Sequence, residues 1–195
     1  MLKNNLINWG LLMIMGLGGC KPSLTSGDTS NTPVADPYPW ASWESCSQNT
    51  GDHPCNFTLS NQLLMDISLY DYYGGVIVLD LSTMWCGPCN SAAAEVQQVQ
   101  DQYAEEITYI TVLIENSTGD PPTAADITYW CDTYGITSPV LAGSRDLIDV
   151  SGTNGWPLTA WPTFFFITDE MVLHTRLQGF SSTWIDTLIQ ETLNQ

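Results

Sequence analysis

Apolar residues fall along this chain in short blocks, and the spacing within each block marks an element. Val76-Ile77-Val78-Leu79-Asp80-Leu81 is apolar on both faces except at Asp80, the pattern of a central strand. Directly after Trp85-Cys86-Gly87-Pro88-Cys89, the residues Cys89, Ala92, Val96, Val99 and Tyr103 recur at helical spacing and make one stripe. Ile107 to Ile114 is β-branched and apolar, which predicts a second buried strand. Thr123-Ala124-Ala125-Asp126 resembles a capping box, and Ile127, Trp130, Cys131 and Tyr134 follow on one helical face until Gly135. Cys131 reads there as a small buried hydrophobe, with a third redox thiol as the other reading. Pro139-Val140-Leu141 is a short extended piece. Thr163 to Thr168 and Met171 to Gln178 read as a hairpin turned at Asp169-Glu170. A last helix presents Trp184, Ile185, Leu188 and Ile189 as its buried face. Upstream, Phe57-Thr58-Leu59 alternates as a strand does, and Ser68 caps a helical turn from Leu69 to Tyr72 before Gly74-Gly75 breaks it. The order of elements predicts an α/β fold in which a central mixed β-sheet is flanked by helices.

Before Trp40 the pattern is different. Leu6 to Leu17 is mostly apolar, only Lys3 is charged ahead of it, and Leu17-Gly18-Gly19-Cys20 closes the run with small residues. The run is too short for a spanning helix. It resembles a bacterial lipoprotein signal, which implies cleavage before Cys20 and a lipid on Cys20, whereas an ordinary secretory signal is the alternative. Residues 21–40 are rich in Ser, Thr, Pro, Gly and Asp and read as a flexible tether. The division is therefore 1–20 signal, 21–40 tether and 41–195 folded domain. Lys21 follows Cys20 where lipoproteins retained in an inner membrane tend to carry aspartate, which points to the outer membrane.

Charge narrows the partners. Lys3, Lys21, Arg145 and Arg176 stand against 21 acidic residues, a formal net charge of -17. Such a surface repels nucleic acid and anionic membrane faces. Cys46 and Cys55 bracket the turn Asn49-Thr50-Gly51-Asp52, and in an oxidising compartment they most simply form a structural disulfide. A zinc site with His53 lacks a clear fourth ligand. A second redox pair is the remaining reading. His53 and His174 are isolated in sequence.

From about Cys55 to Leu193 the chain resembles the thioredoxin-fold proteins, and within them the exported TlpA/ResA-like members of the redoxin group. Trp85-Cys86-Gly87-Pro88-Cys89 matches the family's active-site motif, and Trp161-Pro162-Thr163 matches its cis-proline segment. Asp80, six residues before Cys86, coincides with its buried acid. The Phe57 strand and the Ser68 to Gly74 stretch resemble the redoxin-type N-terminal extension. The resemblance implies a thiol-disulfide oxidoreductase without cofactor, acting on client proteins and kept reduced by a membrane electron donor. It implies that Pro162 is cis and that Trp161 pairs its backbone with an extended client. Trp161 is larger than the residue usual before this proline. Trp85, Gly87 and Pro88 complete the client-facing surface.

Physical chemistry orders the two thiols. A helix N-terminus carries about half a positive charge, which favours the thiolate, so Cys86 attacks and Cys89, one turn on, resolves. Pro88 has no N–H to lose in a first turn. Asp80, desolvated in an apolar strand, should exchange a proton near neutrality and serve Cys89 as a base. Gly87-Pro88 matches reducing thioredoxins, whose potential is near about -270 mV, while an oxidising compartment favours the disulfide. Two alternatives stay open. Thr83 stands three residues before Cys86, as in a thiol peroxidase, although Leu79 occupies the upstream proline position. A copper-delivery relative would need three residues, not two, between its cysteines.

Overall fold

The computed structural model describes residues 39–153 and 155–195, so the signal, Cys20 and nearly all of the tether lie outside the described residues. Within them runs a seven-stranded mixed sheet in the order β2-β1-β5-β4-β3-β6-β7. Its strands are β1 (Thr58–Asn61), β2 (Asp66–Ser68), β3 (Val76–Thr83), β4 (Ile107–Glu115), β5 (Val140–Ala142), β6 (Thr163–Ile167) and β7 (Leu173–Gln178). The helices are α1 (Gly87–Tyr103), α2 (Ala124–Tyr134) and α3 (Ser182–Leu193). Strands β3, β4 and β5 are parallel, and β6 joins β3 antiparallel. No helix among the described residues is long and apolar enough to cross a membrane.

Chain direction decides which face each helix covers. The connections β3–α1–β4 and β4–α2–β5 step across the sheet in one direction, and right-handed crossovers then set both helices on the same face. Ala92 and Val96 of α1, Ile127 and Trp130 of α2, and Ile185 and Ile189 of α3 accordingly share one core cluster with Val78, Tyr109 and Phe164. Cys131 is buried in the same cluster. The opposite face, Ile77, Leu79, Leu81 and Phe165, carries no α-helix among the described residues. Trp156 and Leu158 of the β5–β6 connection cover it, with Phe57, Leu69, Tyr70, Trp40 and Trp43 from the N-terminal extension.

That extension is pinned at a disulfide. Cys46 and Cys55 are joined, with Cα atoms 4.8 Å apart. The loop between them adds to the sheet edge region through Gly51 N–H to the Leu173 carbonyl (2.8 Å) and Leu173 N–H to the Asp52 carbonyl (2.9 Å). His53 stacks on Trp43 with centroids 3.7 Å apart, and its Nδ1 donates to the Met171 carbonyl at 2.8 Å. Both sulfurs are used by the bridge, which leaves no thiolate for a zinc site with His53.

The helices and strands fall close to their predicted bounds, with three differences. Ser68 closes a strand, β2, that pairs with β1 as a hairpin, before capping a 3-10 turn over Leu69–Tyr72. Met171 does not open β7: it has φ 57° in the turn that follows Thr168, and the strand begins at Leu173. Trp184 is 58% exposed, so the buried face of α3 is Ile185, Ile189 and Thr192 instead.

Candidate active site

The site forms where β3 stops and α1 starts. Met84 N–H donates to the Glu115 carbonyl at 2.9 Å, tying the loop after β3 to the end of β4. Cys86 is the N-cap of α1, with extended φ/ψ of -83° and 118°, and its Sγ accepts from Cys89 N–H at 3.2 Å. A capping side chain normally supplies oxygen to an unpaired N–H of the first turn, and here the sulfur takes that place. Pro88 occupies the first turn, where no N–H is needed. Cys86 and Cys89 form a disulfide with Cα atoms 5.2 Å apart. Cys89 is fully buried, whereas Cys86 keeps 5% exposure, so Cys86 is the cysteine nearer solvent. Gly87 and Pro88 are exposed beside it and leave that side open.

Asn90 braces the start of the helix. Its Nδ2 donates to the carbonyls of Cys86 (2.6 Å) and Met84 (3.1 Å), and its Oδ1 accepts from Tyr134 Oη of α2 at 2.5 Å. The same helix is thereby tied both to the loop before it and to its neighbour.

Below α1, Asp80 is 1% exposed on the helix-covered face of β3. Burial pushes its carboxyl up to about 7, against the pull of the Ser82 and Tyr109 hydroxyls. Ser82 Oγ donates to Oδ1 at 2.6 Å, and Tyr109 Oη lies 3.5 Å from Oδ2. Burial and the neighbouring Asp80 in turn hold the Tyr109 phenol well above its usual range.

The rim is aromatic. The Trp161-Pro162 peptide bond is cis, Pro162 is buried, and among the described residues no backbone hydrogen bond ends on Trp161. The Trp161 and Trp85 rings meet edge to face, with centroids 6.4 Å apart. Trp85 is 48% exposed, and its Nε1 donates to Glu115 Oε2 at 2.8 Å. Glu115 Oε1 accepts from Nε of Arg145 in an ion pair. The guanidinium of Arg145 first, and the indole N–H after it, hold the Glu115 carboxyl below the usual range.

Cys86, Gly87, Pro88, Trp85 and Trp161 thus border one surface, with Cys89 buried behind Cys86 and Asp80 on the face of β3 that the helices cover. Cys46, Cys55 and His53 belong to the N-terminal clamp, and His174 lies on β7, away from these contacts. Glu115, Asn90, Arg145, Ser82 and Tyr109 are additions that the sequence pattern does not single out. For Ser82 a signal exists, since residue i+2 of a strand shares the face of residue i.

Comparison with known proteins places this geometry. The model of the AhpC/TSA family matches residues 50–176. Thioredoxin-like protein YneN of Bacillus subtilis is 25% identical over 124 residues, covering 63% of this chain and 68% of that protein. Among solved structures, a thiol:disulfide interchange protein of the thioredoxin family from Chlorobium tepidum has a TM-score of 0.59 at 18% identity, covering 77% of this chain and 99% of its own. The exposed lipoprotein thioredoxin of Streptococcus pneumoniae has a TM-score of 0.56 at 22% identity, covering 70% and 99%. The fold is thioredoxin-like.

Proposed function

Because this chain belongs to the AhpC/TSA family and has a thioredoxin-like fold, we propose that it is an exported, membrane-anchored thiol-disulfide oxidoreductase that reduces client protein disulfides. The observation that carries the reading is the Cys86–Cys89 disulfide at the N-terminus of α1, with Cys86 the outer cysteine and a buried carboxyl, Asp80, on the face of β3 that the helices cover.

In the reducing direction the Cys86 thiolate attacks one sulfur of a client disulfide, and the other client sulfur leaves as a thiolate. Asp80 takes the Cys89 proton, the Cys89 thiolate attacks Cys86 Sγ, and the Cys86–client bond breaks with its electron pair on the client sulfur that Cys86 had attacked. Two electrons pass to the client, and the Cys86–Cys89 bond is left for a membrane electron donor to reduce. Pro162 and the unpaired backbone of Trp161 hold an extended client segment across the disulfide, between the Trp85 and Trp161 rings, with Gly87 and Pro88 leaving room. We assign residues 41–195 to the catalytic domain, residues 21–40 to the tether and Cys20 to the lipid anchor on the periplasmic side of the outer membrane. The fold is shared with an exposed lipoprotein thioredoxin, which agrees with export; the outer-membrane assignment rests on Lys21 after Cys20.

The domain should reduce insulin with dithiothreitol as donor, and Cys86→Ser should abolish the reaction. Wild-type turnover no faster than that of Cys86→Ser would sink the proposal. Family membership and Thr83, three residues before Cys86, favour thiol peroxidase as the second reading. Peroxide consumption that requires Cys86 and survives Cys89→Ser would assign it.

A further inference from the structure

Four polar side chains share one patch of sheet under α1. Asp80 and Ser82 lie two residues apart on β3, Thr111 stands directly beside Asp80 on β4, and Tyr109 comes from the same face of β4. All are buried, Ser82 and Thr111 completely. Two of the three hydroxyls are committed to the acid: Ser82 Oγ to Oδ1 at 2.6 Å and Tyr109 Oη towards Oδ2 at 3.5 Å. The third, Thr111 Oγ1, makes no hydrogen bond among the described residues.

Among the described residues no cation acts on the carboxyl. From β4 the titratable neighbour is Tyr109, and α1 brings Glu95 on the Tyr109 side; Cys89, in the first turn of α1, is itself fully buried. From β6 and α3 come Phe164, Ile185 and Ile189, which do not titrate. A buried carboxylate without a counter-ion is held in its charged form by hydrogen bonds alone, and those to charged groups are the strong ones.

We infer that Ser82 and Tyr109 are positioning residues of the redox site: their hydroxyls orient the Asp80 carboxylate and set the pH range over which it accepts the Cys89 proton. The inference rests on the disulfide-reducing reading and on Asp80 as the base. Ser82, at the shorter distance, dominates. In the resolving step the Cys89 S–H bond breaks, its proton goes to Asp80, the sulfur electron pair forms the bond to Cys86 Sγ, and the Cys86–client S–S bond breaks with its electron pair leaving on the client sulfur as a thiolate. Ser82 and Tyr109 exchange no proton with either cysteine and act only through Asp80.

The test is the pH profile, from about 5 to 9, of the release of a chromogenic thiol from its mixed disulfide with Cys86, in the full chain. Wild type should rise through the Asp80 titration. Ser82→Ala should move that limb upward by about one pH unit, the scale of one hydrogen bond to a charged group. Ser82→Thr should restore it, and Tyr109→Phe should move it upward by a few tenths of a unit. Coincident profiles for wild type, Ser82→Ala and Tyr109→Phe would overturn the inference. A limb that survives in Asp80→Asn would remove Asp80 as the base, and insulin reduction unaffected by Cys86→Ser would remove the parent reading. Both outcomes are separable from the first.

Discussion

At the scale of single residues, Asp80 shows how one side chain ties stability to function. Its carboxyl moves from an ordinary value of 3.8 to about 7 because β3 buries it. Between those two values the folded chain holds a proton that the unfolded chain releases. The protonated acid therefore stabilises the fold fully below about pH 4, and that contribution is lost as pH rises to about 7 and beyond. Asp80→Asn removes the linkage, since an amide of the same size does not titrate. Urea denaturation of both chains should show the variant gaining on wild type by roughly 3–4 kcal/mol between pH 4 and pH 8, because each pH unit separating the folded and unfolded titrations is worth about 1.4 kcal/mol. The same variant should slow the resolving step, so stability and turnover should change in opposite directions. A stability difference that is flat with pH would mean that the carboxyl is not perturbed.

Among elements, the beginning of α1 depends on a residue from its own first turn. Asn90 donates to two loop carbonyls and receives a hydroxyl from α2, so Asn90→Ala removes three side-chain hydrogen bonds, while the Cys86 carbonyl keeps its 3.0 Å bond from the backbone N–H of residue 90. The cost should be about 2 kcal/mol, with Tyr134→Phe nearer 1 kcal/mol, both read from denaturation midpoints. Insulin reduction should fall in Asn90→Ala, because the side chain braces the loop that carries Cys86, the attacking residue of the proposed reaction. The Cys46–Cys55 bridge closes a short loop of the extension, and loop entropy predicts a loss of about 2–3 kcal/mol in Cys46→Ser/Cys55→Ser. That pair lies outside the redox site, so the double variant should keep its turnover per folded molecule. If turnover vanished while the fold survived, the bridge would belong to the electron path instead.

For the molecule as a whole, what the sequence reveals depends on how far apart in the chain the partners lie. The buried acid is legible because a lone carboxylate interrupts an apolar strand, and the cysteine pair because both sulfurs fit one helical turn. Cys46 and Cys55 are legible for the same local reason. Glu115 is not, since its partners Trp85 and Arg145 are each 30 residues away. The one-sided placement of α1, α2 and α3 is also hidden, because it follows from strand order, which no local pattern encodes. Charge is the exception, a global property that composition shows directly. With a net charge of -17, and Arg145 and Arg176 the only lysine or arginine side chains among the described residues, the molecule presents a field that extends about one Debye length, roughly 8 Å at physiological salt. If the proposed reduction of client disulfides holds, that field should draw basic clients and repel acidic ones, through the association rate rather than the chemistry. Two disulfide peptides of equal length, one with lysines flanking the cysteines and one with glutamates, separate the effects. At low ionic strength kcat/KM should favour the lysine peptide by at least about tenfold, as electrostatic steering of on-rates predicts. Raising salt to about 0.5 M should bring the two values together, chiefly by slowing the basic peptide, while kcat stays level for both. Equal kcat/KM at low salt would mean that the Arg145–Glu115 rim offsets the surface field where clients dock.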